Sequence, residues 1–206
     1  MSAPRLGRAF FARDAKVVAR ALIGCHLVDT RGGTRRVARI VETEAYRGPT
    51  DAACHARFGR TKRTQALFGT PGTAYVFLVY GMHLCFNVVC AEAGAGHAVL
   101  LRGVEPLEGF AGRPPRGDGP GRLTRALAID RSVDGVDLVD GALHFTAAAG
   151  SPHIACSPRV GVGYAGGHAT RLLRFYDRQS PSVSRPPASA IGLGKELPRL
   201  RVTRGK

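Results

Sequence analysis

Apolar positions along the chain recur at two spacings. From Asp14 the stretch DAKVVARALIG repeats at helical intervals and stops at Gly24, where glycine can take the left-handed turn that ends a helix. RLTRALAI (122–129) has the same spacing. Strand-like runs dominate the rest. CHLVDT and RRVARIVETEAY flank Arg31-Gly32-Gly33-Thr34 and read as a hairpin. TAYVFLVYGMHLCFNVVC reads as a second hairpin, with strands 74–80 and 84–90 around Gly81-Met82-His83. HAVLLRGVE follows as a further strand, and LHFTAAA, RVGVGYAG and LLRFYD read as strands or strand-like edges. RPPRGDGPG (113–121) is a loop by composition, and the Pro/Arg-rich tail from Pro181 is expected to be partly disordered. Hairpins with a few short helices predict one α+β domain around a largely antiparallel sheet.

Three breaks in the apolar pattern carry candidate chemistry. In VETEAY, alternation puts Glu42, Glu44 and Tyr46 on one strand face, with neighbours roughly 6–7 Å apart. Two poorly solvated carboxylates that close repel, which suits a general acid or base. The alternative is a solvated face on which they pair with Arg35, Arg36 or Arg39. Arg102 is a lone charge in AVLLRGVEP; a buried arginine seeks a carboxylate, and Glu42 and Glu44 are the candidates. Asn87 interrupts an apolar strand, either as a structural bracket or as a pocket contact.

Charge changes the picture further. The 206 residues hold 30 Lys+Arg against 15 Asp+Glu, a formal net charge of +15, which favours a polyanionic partner, nucleic acid before an anionic membrane. HARFGRTKRT contains Arg57, Arg60, Lys62 and Arg63 and no acid, a pattern suited to phosphate contacts or to an ordinary solvated loop. The hairpin tip sets Tyr80 and Met82 where turns are usually polar, which suits a wedge for a duplex or a tip packed on its own domain. Five cysteines without a C-x-x-C pair, no spanning apolar segment and no leader-like N-terminus predict a soluble, intracellular protein with reduced thiols. GVGYAG (161–166) matches G-x-G-x-x-G but opens no βαβ unit and is read as a close-packed turn. Cys54-His55 and His83/Cys85/Cys90 lack zinc spacing, so no metal is expected.

Taken together, RIVETEAYRGPTDAACHA, GTPGTAYVFLVYGMHLCFNVV, AVLLRGVEPLEG, GPGRLTRALAI and RVGVGYAGG–LLRFY resemble the mammalian-type alkyladenine (3-methyladenine) DNA glycosylases, a family also widespread in bacteria. The resemblance covers most of residues 10–182. It implies a single glycosylase domain over 1–206, with 183–206 as a basic tail. The implied fold is a curved, partly open, barrel-like sheet with surrounding short helices and a protruding hairpin. It also implies a monofunctional enzyme without cofactor, acting as a monomer on double-stranded DNA that contains damaged purines. The enzyme would be cytoplasmic and nucleoid-associated in a bacterium, or nuclear in a eukaryote. Glu44 then looks like the base that activates water, and Arg102 like the residue that helps hold that water. Tyr46, His55, Phe77 and Asn87 look like base-pocket residues, and Tyr80 like the wedge. A non-catalytic nucleic-acid-binding module on the same fold, or a hydrolase of free nucleosides, stands as the alternative. Two departures stand out: Phe77 lacks the hydroxyl that many members carry there, and the segment after EPLEG is short. Near RFY, the resemblance places Asp177 where the family uses a main-chain carbonyl against the water.

Overall fold

The computed structural model describes residues 3–79, 81–110, 116–148 and 150–184. A short helix α1 (Arg8–Phe11) precedes α2 (Ala15–Ala21), whose Asp14 cap accepts the Lys16 N–H. Gly24, at φ +89°, turns the chain into β1 (His26–Asp29). A helical turn at Arg31–Gly33 then leads into the long β2 (Arg36–Arg47). β3 (Ala74–Val79) and β4 (His83–Cys90) form the apolar hairpin, and β5 (His97–Glu108) returns beside them. α3 (Pro120–Ala126), β6 (Leu143–Thr146), β7 (Ile154–Ser157) and β8 (Arg174–Asp177) complete the chain.

All these strands join one antiparallel, curled sheet in the order β3-β4-β5-β2-β1-β6. The far edge of β2 is shared. Its first half pairs with β1, and residues 42–44 pair with β8, which carries β7 on its other side. The α+β architecture is therefore as expected. The main core packs α2 and α3 against the sheet through residues such as Val18, Leu22, Leu101, Leu123 and Phe145.

RVGVGYAG forms no strand. After Val160 the chain turns at Gly161 (φ +74°) and coils into a helical turn, Gly163–His168, because glycines at alternate positions leave little side chain to pair across a sheet. GVGYAG is a turn, as read from the sequence, but not a close-packed one: Gly161, Gly163 and Gly166 are exposed, and a Cβ added to any of them would meet nothing within 4 Å. β7 has no strong sequence signal: it is four residues long and paired only to β8. Tyr80, residues 111–115 and the tail beyond 184 lie outside the described residues.

Candidate active site

Two opposed irregularities shape the centre of the sheet. Val41 is the extra residue on β2, between the pairs Ile40↔Val104 and Glu42↔Gly103. Arg102 is the extra residue on β5, between Gly103 and Leu101. A bulge bends a strand and re-aims a side chain. Here the two bring Arg102 over the carboxylates of β2. Gly103 is required at this point, since a Cβ there would lie 2.8 Å from the Ser182 carbonyl and 3.0 Å from the Glu42 Cβ.

Glu42 and Glu44 are fully buried. The solvated-face alternative therefore fails: Arg39 pairs with Glu105 and Asp177, Arg35 with Glu108, and Arg36 with Asp29. Glu42 Oε1 accepts from Arg102 Nε at 3.0 Å, Arg174 Nε at 2.6 Å and Ser184 Oγ at 2.8 Å, while Oε2 accepts the Ser184 N–H at 2.6 Å. Glu44 is held more lightly. Its Oε2 accepts from the Tyr46 hydroxyl at 2.8 Å and its Oε1 from the Val160 N–H at 2.7 Å, with Arg102 Nε 3.4 Å from Oε1. Two buried anions thus face two buried cations, Arg102 and Arg174, so the cluster is close to neutral, as burial demands. Burial alone would lower the Arg102 pKa; the charges of Glu44 and Glu42 outweigh it and hold the guanidinium firmly protonated. Burial, then the Glu44 charge and hydrogen bond, push the Tyr46 phenol well above its ordinary pKa, so it stays a donor.

Above this cluster opens a cavity of about 430 Å³, a size typical of small-ligand sites. Tyr46, Arg102 and Val160 line it, and all three touch Glu44, whose carboxylate lies just beneath the lining. One wall is aromatic. His55 comes from the helical turn His55–Phe58; its ring centroid is 4.5 Å from that of Phe77, and its Nδ1 is 2.9 Å from the Tyr75 hydroxyl. Burial, then the nearby Arg63 charge, lowers the His55 pKa and favours the neutral ring. Asn87 donates through Nδ2 to the carbonyls of Tyr75 at 2.9 Å and Cys85 at 3.4 Å, which brackets the strand and also sets its amide at the cavity wall. Cys54 and Cys85 also line the cavity, but burial pushes both thiols up to about 11, so neither is a ready thiolate.

The basic segment lies beside the cavity, with Arg57, Arg60, Lys62 and Arg63 exposed. Arg57 donates to the Ala52 carbonyl and stacks on Phe58; Arg60 donates to the Phe68 carbonyl; Arg63 donates to the Leu78 carbonyl and lines the cavity. Each spends one N–H on its own chain and keeps others for a partner. At the hairpin tip Gly81, Met82 and His83 are exposed, Met82 by 73 %, although Tyr80 itself is not among the described residues. The Asp177 carboxylate meets Arg39 Nη1 at 2.8 Å, and the main-chain group that reaches Glu44 is the Val160 N–H. Val160, Arg174 and Ser184 escaped the sequence reading: Val160 acts through its main-chain N–H, and Arg174 and Ser184 meet Glu42 from far along the chain, which leaves no local spacing. Among the described residues, no group of three or more His, Cys, Asp or Glu is placed to hold a metal ion.

Residues 9–181 match the model of the family described as methylpurine-DNA glycosylase. The chain is 52 % identical over 186 residues to a Myxococcus xanthus protein, covering 88 % of this chain and 94 % of the relative. It is 52 % identical over 188 residues to one from Anaeromyxobacter dehalogenans, covering 90 % and 88 % respectively. A Legionella pneumophila relative is 42 % identical over 183 residues, covering 88 % of this chain and 98 % of its own length. All three carry the name "Putative 3-methyladenine DNA glycosylase".

Proposed function

The chain belongs to the methylpurine-DNA glycosylase family and is a DNA glycosylase for methylated bases; from that premise we propose that it flips damaged purines out of duplex DNA and hydrolyses their N-glycosidic bond with a water activated by Glu44. One observation carries this reading: a buried carboxylate, tied to an arginine and a phenol that themselves line an aromatic-walled cavity. The target atom is out of reach inside a stacked duplex, so the nucleotide must leave the stack, at a cost of a few kcal/mol. Tyr80, beside the exposed tip, fills the gap it leaves. N3- or N7-alkylated purines are cationic, and their contact with Tyr46, His55 and Phe77 contributes about 0.5–2 kcal/mol per good cation–π pair. Neutral hypoxanthine relies more on hydrogen bonds, as from His55.

Cleavage of the C1′–N bond passes through an oxocarbenium-like state. Glu44 stabilises that positive charge and accepts a proton from the attacking water. A carboxylate has about four lone-pair sites, and Glu44 keeps some free beyond those used by Tyr46, Val160 and Arg102. Arg102 fixes the carboxylate and the water. Among the described residues, neither Lys16 nor Lys62 lines the cavity, which supports hydrolysis without a Schiff base. The +15 charge supports double-stranded DNA as the substrate of one catalytic domain, and the expected tail boundary at 183 falls too early, since Ser184 is buried against Glu42. A pure binding module has no need of a buried charge cluster beneath an open cavity. The test is abasic-site formation in duplexes containing 3-methyladenine, 7-methylguanine, hypoxanthine or ethenoadenine. Release of a methylated purine is expected, and release from none of the four would overturn the reading.

A further inference from the structure

Behind Tyr46 lies a second buried ion pair, unused by the chemistry above. The Arg159 guanidinium carbon is 4.7 Å from the Tyr46 ring centroid, and its side chain has no exposed surface. Nη1 donates to Asp51 at 2.5 Å and to the Ala45 carbonyl at 2.9 Å; Nη2 donates to Asp51 at 2.8 Å and to the His168 carbonyl at 3.4 Å. Asp51 also accepts the N–H groups of Arg47 at 3.2 Å and Ala53 at 3.1 Å. Tyr46 lines the cavity and Arg159 does not, so the ring stands between cavity and guanidinium. Burial raises the Asp51 pKa, but the Arg159 hydrogen bond and charge, with the two N–H donors, bring it down to about 2. The pair is therefore ionised at working pH.

This placement has an electrostatic consequence. An aromatic face attracts a cation through its quadrupole. A guanidinium on the opposite face opposes that attraction. A purine stacked about 3.5 Å in front of the ring would lie roughly 8 Å from the guanidinium, where one uncompensated charge at an effective dielectric constant of about 20 alters binding of a cation by tenfold or more. A neutral purine would feel little of it. The anion that cancels the Arg159 charge is Asp51, on the far side from the cavity.

We propose that Asp51 is a specificity-determining positioning residue: its carboxylate cancels the Arg159 charge behind Tyr46 and so allows the pocket to take a cationic, alkylated purine. This rests on the proposed function, in which the base stacks on Tyr46. The two residues lie 108 positions apart. Arg159 holds the ring by stacking, and Asp51 holds Arg159 by a two-pronged hydrogen bond.

The experiment compares kcat/KM for a cationic lesion, 7-methylguanine, with that for a neutral one, hypoxanthine, in the same duplex sequence. Where the wild type releases no hypoxanthine, the Kd for that duplex and for the 7-methylguanine duplex give the ratio. Asp51→Asn is expected to lower the cationic-to-neutral ratio about tenfold. The double variant Asp51→Asn/Arg159→Met, which removes both charges, is expected to restore it to within about twofold. A purely structural role would move both lesions alike and leave the double variant no better than the single. A ratio unchanged in Asp51→Asn, or not restored in the double variant, overturns the proposal. Should Asp51→Asn fail to fold, Arg159→Met carries the test: it leaves the Asp51 anion alone behind Tyr46 and is expected to raise the cationic-to-neutral ratio about tenfold, and a ratio unchanged or lowered overturns the proposal. A wild-type enzyme that releases neither lesion would instead defeat the proposed function at the control.

Discussion

Glu42 and Glu44 are two residues apart, equally buried, and unlike in what surrounds them. Glu42 accepts four hydrogen bonds, from Arg102, Arg174 and both polar groups of Ser184. It ties three segments together and has little capacity left for water. Glu44 accepts two, with Arg102 Nε at 3.4 Å, and lies against the cavity lining. Substitution should therefore separate them. Glu44→Gln is expected to reduce base release by about a thousandfold, within the range for loss of a general base, while lesion-duplex affinity changes little and the urea midpoint falls less than in Glu42→Gln. Glu42→Gln leaves Arg102 and Arg174 short of an anion and is expected to cost about 3–5 kcal/mol of stability, read as a lowered urea midpoint. If Glu44→Gln turned over normally while Glu42→Gln did not, the roles assigned here would have to be exchanged.

The strands that carry these residues were largely legible, and the reason is periodicity. β2 alternates in VETEAY, and the β3–β4 hairpin is a long apolar run around a glycine turn, so face and order follow from residue type. The place of Arg102 was narrowed to Glu42 or Glu44; it meets both, because opposed bulges put it above the gap between them. Bulges, the Val160 N–H and the Asp51–Arg159 pair left no such trace. A bulge is a mismatch between two strands, a main-chain donor has no side chain, and an ion pair closing 108 residues apart has no local spacing. RVGVGYAG misled for a related reason: its valines alternate as in a strand while its glycines coil the chain. The bulge can be tested directly. Gly103→Ala forces a Cβ against the Ser182 carbonyl and the Glu42 Cβ. The expected cost is about 1–3 kcal/mol, as for other overpacked sites, with a lower kcat as Arg102 is displaced. Wild-type melting and turnover in Gly103→Ala would show that the strands have room the structure does not suggest.

Across the whole molecule, the 15 acids are spread thinly against 30 Lys and Arg, and many are consumed in internal pairs such as Asp29–Arg31, Asp51–Arg159 and Glu105–Arg39. The surplus is cationic and exposed, as at Arg57, Arg60, Lys62 and Arg63. Replacing Arg60 and Lys62 with Gln should lower the slope of log Kd against log salt by about two, roughly one for each phosphate left without its cation, with lesion preference unchanged. An unaltered slope would move the DNA path elsewhere. The histidines set a second global property. His26, His55, His97 and His144 all have pKa values lowered from the usual 6.5, in each case chiefly by burial. In the unfolded chain each takes up a proton near 6.5, while in the folded protein each resists until a lower pH. Between those two values the unfolded state binds more protons, so stability rises with pH, and the loss on acidification is complete below the folded values. The urea midpoint is therefore expected to fall between about pH 7.5 and about pH 5.5, well above the range in which Asp51, at about 2, begins to protonate. Replacing His97, whose Nδ1 is buried without a hydrogen-bond partner among the described residues, with Gln should flatten part of that slope. A midpoint that stays level over this interval, or rises on acidification, would mean that these rings keep their solution pKa in the folded protein.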